Sequence, residues 1–324
     1  MRKKVVVVGG GTGLSSIVRG LKMKNIELSA IVTMGDDGGS SGRLRSEFQI
    51  PPPGDIRNVL IAMSDVEPMM EKLMQYKFEQ GNGLQGHSIG NLLLTAMTGI
   101  TGDFSKAVQE TSKVLAVKGK VIPVCNQLMY LRAEYEDGTF VEGESKIPNE
   151  AKKIKTISLF PKGLKASNDA VKALKNADVI VIGPGSLYTS IMPNLLFEEV
   201  RQAIRESDAK KIYVANIMTQ RGETDNYTTA DHIEALEKNV GGRMFDIVIM
   251  NNGEVSEILK EKYIKKGAKP VENEKEKIIK MGYQVIEDDY IVVSEENQIR
   301  HNTDKIADII EILAEIEKKE RSNL

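Results

Sequence analysis

The feature that most constrains this chain is a run of β-branched residues that ends abruptly in glycine. Residues Lys3–Gly9 read KKVVVVG and continue as GGTG. A continuous apolar run of this kind is typical of a strand buried on both faces of a parallel sheet. Leu14–Met23 has helical spacing, and Glu27–Met34 predicts a second strand. This β-α-β opening predicts an α/β fold.

The same order returns in the second half of the chain. Further strands are predicted at Val179–Ile182, Ile212–Asn216 and Ile247–Met250. Helices are predicted at Leu195–Glu206, Thr229–Lys238 and Val255–Lys265. A last strand pair in YQVIEDDYIVV precedes a terminal helix from about Asp304, with Asn302 or Thr303 as its cap and a fraying tail at 317–324. We therefore predict a Rossmann-like, doubly wound, mostly parallel sheet with helices on both faces.

The middle of the chain has a different pattern. Asp55–Tyr76 and Ser88–Leu115 have helical spacing, whereas Lys120–Ser158 shows short strands and an EDG turn typical of a hairpin. We predict one α/β domain over residues 1–324, with an inserted helical and β-hairpin subdomain at about 60–160.

Charge and composition limit the function classes. The chain has 324 residues, and its 44 Lys and Arg nearly balance its 46 Asp and Glu, so the basic surplus typical of nucleic-acid binders is absent. No apolar run reaches the roughly 20 residues of a membrane span, so no membrane insertion is expected. Cys125 is the only cysteine, which excludes an internal disulfide, favours a cytoplasmic location and suits a buried thiol. A homo-oligomer remains open.

The first glycine loop lies at the first strand–helix junction. Glycine lets a phosphate approach peptide amides, and the helix start adds partial positive charge. The loop departs from the dinucleotide fingerprint, because Leu14 stands at its last position, and it has no Walker lysine. We interpret it as a phosphate-binding turn, with a plain tight turn as the alternative. The predicted contacts are Gly10, Gly11, Thr12 and Gly13.

The second loop, GDDGGSSGRLR, follows the second predicted strand. Its glycines and serines predict an anion-binding nest, the alternative being a solvated turn. Asp36 and Asp37 could accept ribose hydroxyls or hold Mg²⁺, while Arg43 and Arg45 suit phosphate. The predicted phosphate contacts are Gly38, Gly39, Ser40, Ser41 and Arg43.

Two further polar stretches open helices. In PPPGDIRN, Asp55 suits a helix N-cap, a ligand or metal contact, or both, and Asn58 is a predicted nucleotide contact. In GNGLQGHSIGNLL, His87 and Asn91 lie at a helix start, where free amides and side chains can face a ligand. A structural role for His87 is the alternative.

Similar polar residues follow the later strands. The predicted nucleotide contacts there are Gly183, Gly185, Ser186, Thr219 and Gln220, with Glu223, Asn251 and Asn252 as further polar groups. Because ligands of open α/β sheets bind at the carboxyl ends of the strands, near the switch in strand order, we predict one nucleotide site at that edge.

Taken together, these loops resemble the YvcK/CofD-like family. The resemblance rests on GGGTGLS, TMGDDGGSSGRLR, PPGDIRN, GHSIGNLLL, GPGSLYTSIMPNLL and NIMTQRGETDNY. The second motif, with KGAKPV and RHNTDK, looks closer to the YvcK branch. That branch implies a gluconeogenesis factor linked to cell shape that binds UDP-sugars such as UDP-N-acetylglucosamine, and it would place Tyr263 and Arg300 near the nucleotide. From the residues alone, Tyr263 could equally pack on a helix surface and Arg300 could be a helix-entry charge.

Three functions follow as hypotheses. The first is a regulatory protein that binds a UDP-sugar and acts on a protein partner in cell-wall precursor synthesis. The second, implied by the CofD branch, is a Mg²⁺-dependent 2-phospho-L-lactate transferase acting on a deazaflavin; its catalytic candidates are Asp36, Asp37, Asp55 and His87, with Asp37 and Asp55 as metal ligands. The third is an oxidoreductase that binds NAD(P) as a dinucleotide, supported by fold analogy alone.

Overall fold

A computed structural model describes residues 2–316. The strands are β1 (Lys3–Gly9), β2 (Ile26–Val32), β3 (Lys120–Pro123), β4 (Tyr130–Tyr135), β5 (Phe140–Glu142), β6 (Ile154–Phe160), β7 (Val179–Ile182), β8 (Lys210–Val214), β9 (Ile247–Asn251), β10 (Gln284–Asp288), β11 (Ile291–Val293) and β12 (Ile299–His301). The helices are α1 (Gly11–Leu21), α2 (Gly39–Phe48), α3 (Gly54–Met63), α4 (Pro68–Gln75), α5 (Ile89–Thr101), α6 (Phe104–Val114), α7 (Asn168–Lys175), α8 (Met192–Leu195), α9 (Glu198–Glu206), α10 (Thr229–Val240), α11 (Glu257–Ile264), α12 (Lys275–Lys280) and α13 (Thr303–Glu315).

A seven-stranded parallel sheet forms the centre, in the order β3-β2-β1-β7-β8-β9-β10. The chain winds outward from β1 to β3, returns to β7 beside β1, and winds outward the other way. The topological switch point therefore lies between β1 and β7, where Val8 is in register with Ile182. In doubly wound folds a crevice opens at the carboxyl ends of the strands at this point. The predicted fold class is confirmed.

The centre of the sheet is also the centre of the apolar core. Val5–Val8 of β1 and Val179–Ile182 of β7 are buried, because helices cover both faces. α1 packs against α3 and α13, while α7 packs against α9. Burial on two sides explains why these strands read as unbroken apolar runs.

The two long helices predicted in the middle of the chain are each broken in two. α3 ends at Met63. Pro68 begins α4, at a position where a backbone N–H would have no hydrogen-bond partner within the helix, so proline is tolerated. α5 ends at Thr101, and Gly102 after it adopts the left-handed conformation. The Asp103 side chain caps α6 by accepting from the Lys106 amide. Most of the second loop is helical, because α2 begins at Gly39.

The β-rich stretch after α6 divides between two sheets. β3 pairs with β2 in the central sheet, whereas β4, β5 and β6 form a separate antiparallel sheet in the order β5-β4-β6. The hairpin predicted around the EDG turn is confirmed by the β4–β5 pair. The limits of an inserted subdomain at about 60–160 stay a prediction.

The last predicted strand pair also divides. β10 joins the central sheet beside β9, and β11 pairs with β12. α13 begins at Thr303, and the Asn302 side chain caps it, as predicted. The predicted fraying of 317–324 lies outside the described residues. No described helix combines the length and apolarity that a bilayer crossing needs.

Candidate functional site: a glycine-lined crevice at the switch point

The loops after β1 and β7 touch each other. A Cβ atom on Gly13 would lie 2.3 Å from the Pro184 carbonyl oxygen and 2.9 Å from the Gly185 Cα. A Cβ on Gly185 would lie 3.5 Å from the Gly10 carbonyl oxygen and 3.5 Å from the Ser190 Cβ. The glycines therefore allow two backbone segments to meet at the mouth of the switch point.

The start of α1 faces a buried carboxylate. The Gly11 amide donates to Asp55 Oδ2 at 3.0 Å, which joins the first loop to the first turn of α3. Burial, and then the nearby Asp36 charge, raise the pKa of Asp55 to about 6. Thr12 and Gly13 belong to the first turn of α1, where amides lack partners within the helix. These amides are suited to receive an anion.

The two aspartates of the second loop point to different partners. Asp36 accepts from the Gly38 amide at 3.0 Å, and its other oxygen lies 2.5 Å from where a Cβ on Gly54 would stand. Asp37 accepts from the Ser145 amide at 2.9 Å, which belongs to the short 3₁₀ turn after β5. Asp36 therefore lies inside the crevice beside α3, while Asp37 fastens the loop to the antiparallel sheet.

The same 3₁₀ turn brings a further acid toward the crevice. Burial, followed by the charges of Asp36, Asp37 and Asp55, raises the pKa of Glu144 to about 8. Glu144 was not predicted as a site residue, because nothing in its local sequence sets it apart. The two raised pKa values in this region, those of Asp55 and Glu144, therefore share burial as the first cause and nearby carboxylates as the second.

Magnesium fits this donor set only in part. The oxygen atoms of Asp36 and Asp55 are the ligands that Mg²⁺ prefers. Within residues 2–316, however, no group of three or more His, Cys, Asp or Glu could hold a metal ion. Since Mg²⁺ is commonly held by one or two carboxylates plus phosphate oxygens, an ion here would need oxygens from a ligand. Asp37 and Asp55, the predicted metal ligands, accept from two different backbone amides, and their pairing as a metal site stays a prediction.

The second loop is also fastened to the start of α5. Ser40 Oγ lies 2.9 Å from His87 Nδ1 and accepts from Asn91 Nδ2 at 3.0 Å. Arg57 donates to Ser88 Oγ at 2.5 Å and to Asn91 Oδ1 at 3.1 Å. Burial, and then the Arg43 charge, lower the pKa of His87. A neutral His87 can accept the Ser40 hydroxyl proton in its hydrogen bond.

The basic residues of this region have distinct roles. Arg45, expected to suit phosphate, is 2% exposed, donates to backbone carbonyls including that of Met129, and stacks on the Tyr130 ring at 3.8 Å. Arg43 is exposed and donates to the Gln85 carbonyl at 2.5 Å. Asn58 accepts from Arg57 at 2.7 Å rather than standing free.

The loops after β7 and β8 are paired through side chains. Asn216 Nδ2 donates to the Gly185 carbonyl at 2.9 Å, and Gln220 Nε2 donates to Ser186 Oγ at 2.6 Å. Gly183 has a φ of +80°, which suits its position as the first residue of the loop. Thr219 pairs instead with the segment before α12, through its amide and the Lys269 carbonyl at 2.8 Å.

Glu223 closes the far side of this pair of loops. It is 7% exposed, accepts from Thr189 Oγ1 at 3.2 Å, and its Oε2 has no hydrogen-bond partner in the described part of the chain. Burial raises its pKa to about 7. Thr33 Oγ1 and Gln220 Oε1 are likewise buried without a partner there. Such orphaned polar atoms are rare in folded proteins, and they are expected where a ligand or water binds.

Tyr263 and Arg300 are not brought to the glycine loops by any hydrogen bond of the described chain. The Tyr263 hydroxyl accepts from the Ile299 amide at 2.9 Å, and Arg300 is exposed beside Gln298. The neighbouring His301 reaches the Ala215 carbonyl at 2.9 Å, past the end of β8. Both residues therefore stand at the carboxyl edge of the sheet, on the side of β8.

Cys125 does not take part in this chemistry. The thiol is fully buried, as predicted, and burial raises its pKa to about 11. A thiol that holds its proton at neutral pH is a poor nucleophile.

The fold and the crevice define a doubly wound α/β protein whose glycine loops meet at the switch point. The family model described as 2-phospho-L-lactate transferase CofD matches residues 5–291. This chain belongs to the CofD family.

Similar proteins carry the name gluconeogenesis factor. One from Halalkalibacterium halodurans is 52% identical over 95% of this chain and 96% of its own length. Another from Bacillus subtilis is 50% identical, covering 95% of this chain and 97% of the relative. A crystal structure of a Bacillus halodurans protein superposes with a TM-score of 0.94 at 51% identity, over 96% of this chain and 99% of that one. A second crystal structure from that organism, of a protein described as a member of the UPF0052 family, gives a TM-score of 0.93 at 50% identity, over 95% of this chain and 99% of that one.

Proposed function

We propose that this chain is a cytoplasmic regulatory protein that binds a nucleotide sugar of the UDP-N-acetylglucosamine kind at the switch-point crevice. One observation carries the proposal: the backbone contact between Gly13 and the Pro184–Gly185 segment brings two glycine loops to one point. The name of the similar proteins supports a role in gluconeogenic growth. The resemblance to the YvcK branch supports a link to cell shape through a protein partner in cell-wall precursor synthesis.

The diphosphate would bind at the helix starts that border the crevice. It would accept hydrogen bonds from the first-turn amides of α1 and from those at the start of α2. Ser186 and Gln220 would add side-chain donors from the opposite loop. Tyr263 and Arg300, at the edge near β8, would reach the base or the sugar.

The carboxyl groups of the crevice set a condition on this binding. Ionised carboxylates here would repel a diphosphate, and burial, followed by the neighbouring negative charges, raises the pKa of Asp55 and of Glu144. A Mg²⁺ ion carried by the phosphates would offset that repulsion. Binding should therefore be stronger with Mg²⁺ than without it.

A second function has its own supporting observations. The CofD family model bears the name of a phospholactate transferase, and the Ser40–His87 contact at 2.9 Å offers a hydroxyl beside a base. If Mg²⁺ is bound, it would supply Lewis-acid stabilisation of phosphate charge, while Asp36 and Asp55 would hold it. The dinucleotide oxidoreductase has fold analogy alone in its favour.

Calorimetry with UDP-N-acetylglucosamine, GDP and NAD, each with and without Mg²⁺, tests the proposal. We compare the wild type with Gly11→Ala, where φ is +60° and a Cβ would point toward Ser190 Oγ at 3.4 Å. The matched control is Gly241→Ala, where φ is +78° and no atom lies within 4 Å of the added Cβ. Both changes should cost about 1 kcal/mol of stability through backbone strain, but only Gly11→Ala should weaken UDP-sugar binding, by about tenfold or more.

The outcomes separate the hypotheses. Tight GDP binding without UDP-sugar binding, together with phospholactate transfer to a deazaflavin, would replace the regulatory function by the transferase. Preference for NAD would replace both. Equal loss of UDP-sugar affinity in the two glycine variants would remove the crevice from the proposal.

A further inference from the structure

A second concave surface lies at the opposite edge of the central sheet. It is a groove of about 1200 Å³ between α6 and α7, at the amino ends of β1, β2 and β3. We call it the basic groove. Its floor includes Lys4, Ser29 and Lys120, which the parallel register places on one face of the sheet.

The groove exists because one face of the sheet is incompletely covered there. In β2, Ile26, Leu28 and Ala30 are buried, whereas Glu27 is exposed and Ser29 is partly exposed. A doubly wound sheet normally has both faces covered by helices. Here the short helix α7 leaves the amino half of β2 and β3 open, although Gln109 of α6 and Asp169 of α7 meet at 3.4 Å beside it.

The charge of the groove is one-sided. Eight Lys and Arg side chains line it against two carboxylates, Glu27 and Asp169, in a chain with a net charge of only −2. Lys24, Lys113 and Lys118 are partly neutralised by ion pairs with acids outside the groove. The other five cations have no ion-pair partner among residues 2–316; they are Arg2, Lys4, Lys22, Lys120 and Lys172.

The cluster is costly in the free protein. Lysines at helix ends are ordinarily explained by the helix dipole, and Lys113 fits that account at the end of α6. Lys4 and Lys120 lie on strands, where the small net dipole of a sheet does not stabilise their charge. Five cations without an ion pair around one concavity repel one another, and this repulsion is relieved when a polyanion binds.

The lining also indicates which polyanion fits. No aromatic side chain lines the groove, so there is no platform on which a nucleobase could stack. Seven of the eight cations are lysines, which act as separate point charges rather than as the bidentate forks that favour phosphate. Ser29, Gln109 and Asn176 add groups that can hydrogen-bond a peptide backbone. Distributed carboxylates on an extended chain match this lining best.

We propose that the basic groove is a docking surface for an acidic segment of a protein partner. It lies at the amino edge of the sheet, whereas the glycine-lined crevice lies at the carboxyl edge. The two surfaces can therefore be occupied at the same time.

The test uses the full chain and a fluorescein-labelled polyglutamate peptide of about ten residues at low salt, where surface charges act at full range. Fluorescence anisotropy is compared for the wild type and for the combined variant Lys4→Glu, Lys120→Glu, Lys172→Glu. The matched control is Lys162→Glu, Lys238→Glu, Lys280→Glu, which reverses three exposed lysines that also lack ion pairs in the described chain. We expect the groove variant to weaken peptide binding by at least about tenfold and the control by less than about twofold.

Two further arms make the result decisive. Hydrogen exchange should show protection by the peptide in 104–120 and 168–176. Inorganic tripolyphosphate and single-stranded RNA should compete less well than unlabelled peptide at equal charge. Equal losses in the two variants, protection elsewhere, or stronger competition by tripolyphosphate or RNA would overturn the proposal. UDP-sugar binding is measured in the groove variant as well. If it is unchanged, loss of peptide binding at the groove is independent of ligand binding at the crevice.

Discussion

The two glycine loops that meet at the centre of the sheet are alike in backbone and differ in the carboxylate that each one faces. Each follows a buried strand and leads into a helical turn. Asp55 lies at the first loop and accepts from the Gly11 amide. Glu223 lies at the second and accepts from the Thr189 hydroxyl.

The two carboxylates owe their raised pKa values to different surroundings. For Asp55, burial acts first and the Asp36 charge second, while the Gly11 amide and Arg57 act in the opposite direction. For Glu223, burial is the only influence that raises the pKa. The first loop is therefore sensitive to neighbouring charges and ions, whereas the second depends on the exclusion of water. A ligand with a charged and an uncharged part can use this difference to choose its orientation.

The largest effect on stability that does not depend on pH is expected when the contact between the two loops is disrupted. Gly13→Ala places a Cβ against the backbone of Pro184 and Gly185, which cannot move as a flexible side chain would. We expect the free energy of unfolding to fall by about 2 to 3 kcal/mol in urea denaturation. Gly99→Ala is the control, since Gly99 is also helical and has no atom within 4 Å of an added Cβ. That change should stabilise by about 0.5 to 1 kcal/mol. Equal stability of the two variants would show that the loops are not in contact.

A comparable effect is expected from Glu223→Gln, but only as a function of pH. A raised carboxyl pKa means that the unfolded state loses its proton first as the pH rises. The stability of the wild type therefore falls between the unfolded pKa of about 4.5 and the folded pKa of about 7, and levels off above it. The 2.5-unit difference corresponds to about 3 kcal/mol. Urea titrations at several pH values should show that the free energy of unfolding of Glu223→Gln rises relative to the wild type by about this amount between about pH 4.5 and pH 7. Parallel curves would contradict a buried, protonatable Glu223.

A smaller effect separates the two carboxylates by their response to Mg²⁺. At matched ionic strength, Mg²⁺ should favour ionised Asp55 and shift its apparent titration by about one unit, about 1 kcal/mol. Asp55→Asn should lose this response, while Glu223→Gln should keep it. The measurement is the pH dependence of unfolding with MgCl₂ against NaCl. An identical Mg²⁺ response in both variants would remove the difference between the loops.

How far the sequence predicts this arrangement depends on the range of the interactions involved. The strands β1 and β7 and the loops that follow them were predictable, because burial on both faces leaves an apolar run and close backbone contact demands glycine. The Asn302 cap was predictable because its partner, the Lys305 amide, lies only three residues away.

Features set by distant partners were not predictable. Glu144 reaches the crevice through the separate antiparallel sheet, and its sequence neighbourhood carries no sign of that position. Arg45 has the residue type of a phosphate ligand, but the fold places it against Met129 and Tyr130. The breaks at Pro68 and Gly102 were written in the sequence as a helix-starting proline and a helix-ending glycine, and apolar spacing alone concealed them.

The smallest expected effect tests which loop receives the ligand. Thr33 is 2% exposed, and its Oγ1 has no partner in the described chain. Its methyl carbon lies 2.4 Å from the position that a Cβ on Gly10 would occupy. Thr33→Val replaces the hydroxyl by a methyl of the same shape, so the free energy of unfolding should stay within about 0.5 kcal/mol or rise slightly. Thr111→Val is the control, because Thr111 is 1% exposed but donates to the Ala107 carbonyl at 2.7 Å. Loss of that bond should cost about 1 kcal/mol.

Ligand binding should reverse this ranking. If the ligand enters beside the first loop, it supplies the missing partner of Thr33 Oγ1, and Thr33→Val should weaken UDP-sugar binding by about five- to tenfold in calorimetry. Thr111→Val should leave affinity unchanged, since α6 lies away from the crevice. Full affinity in Thr33→Val would place the ligand on the side of Glu223, beside the second loop.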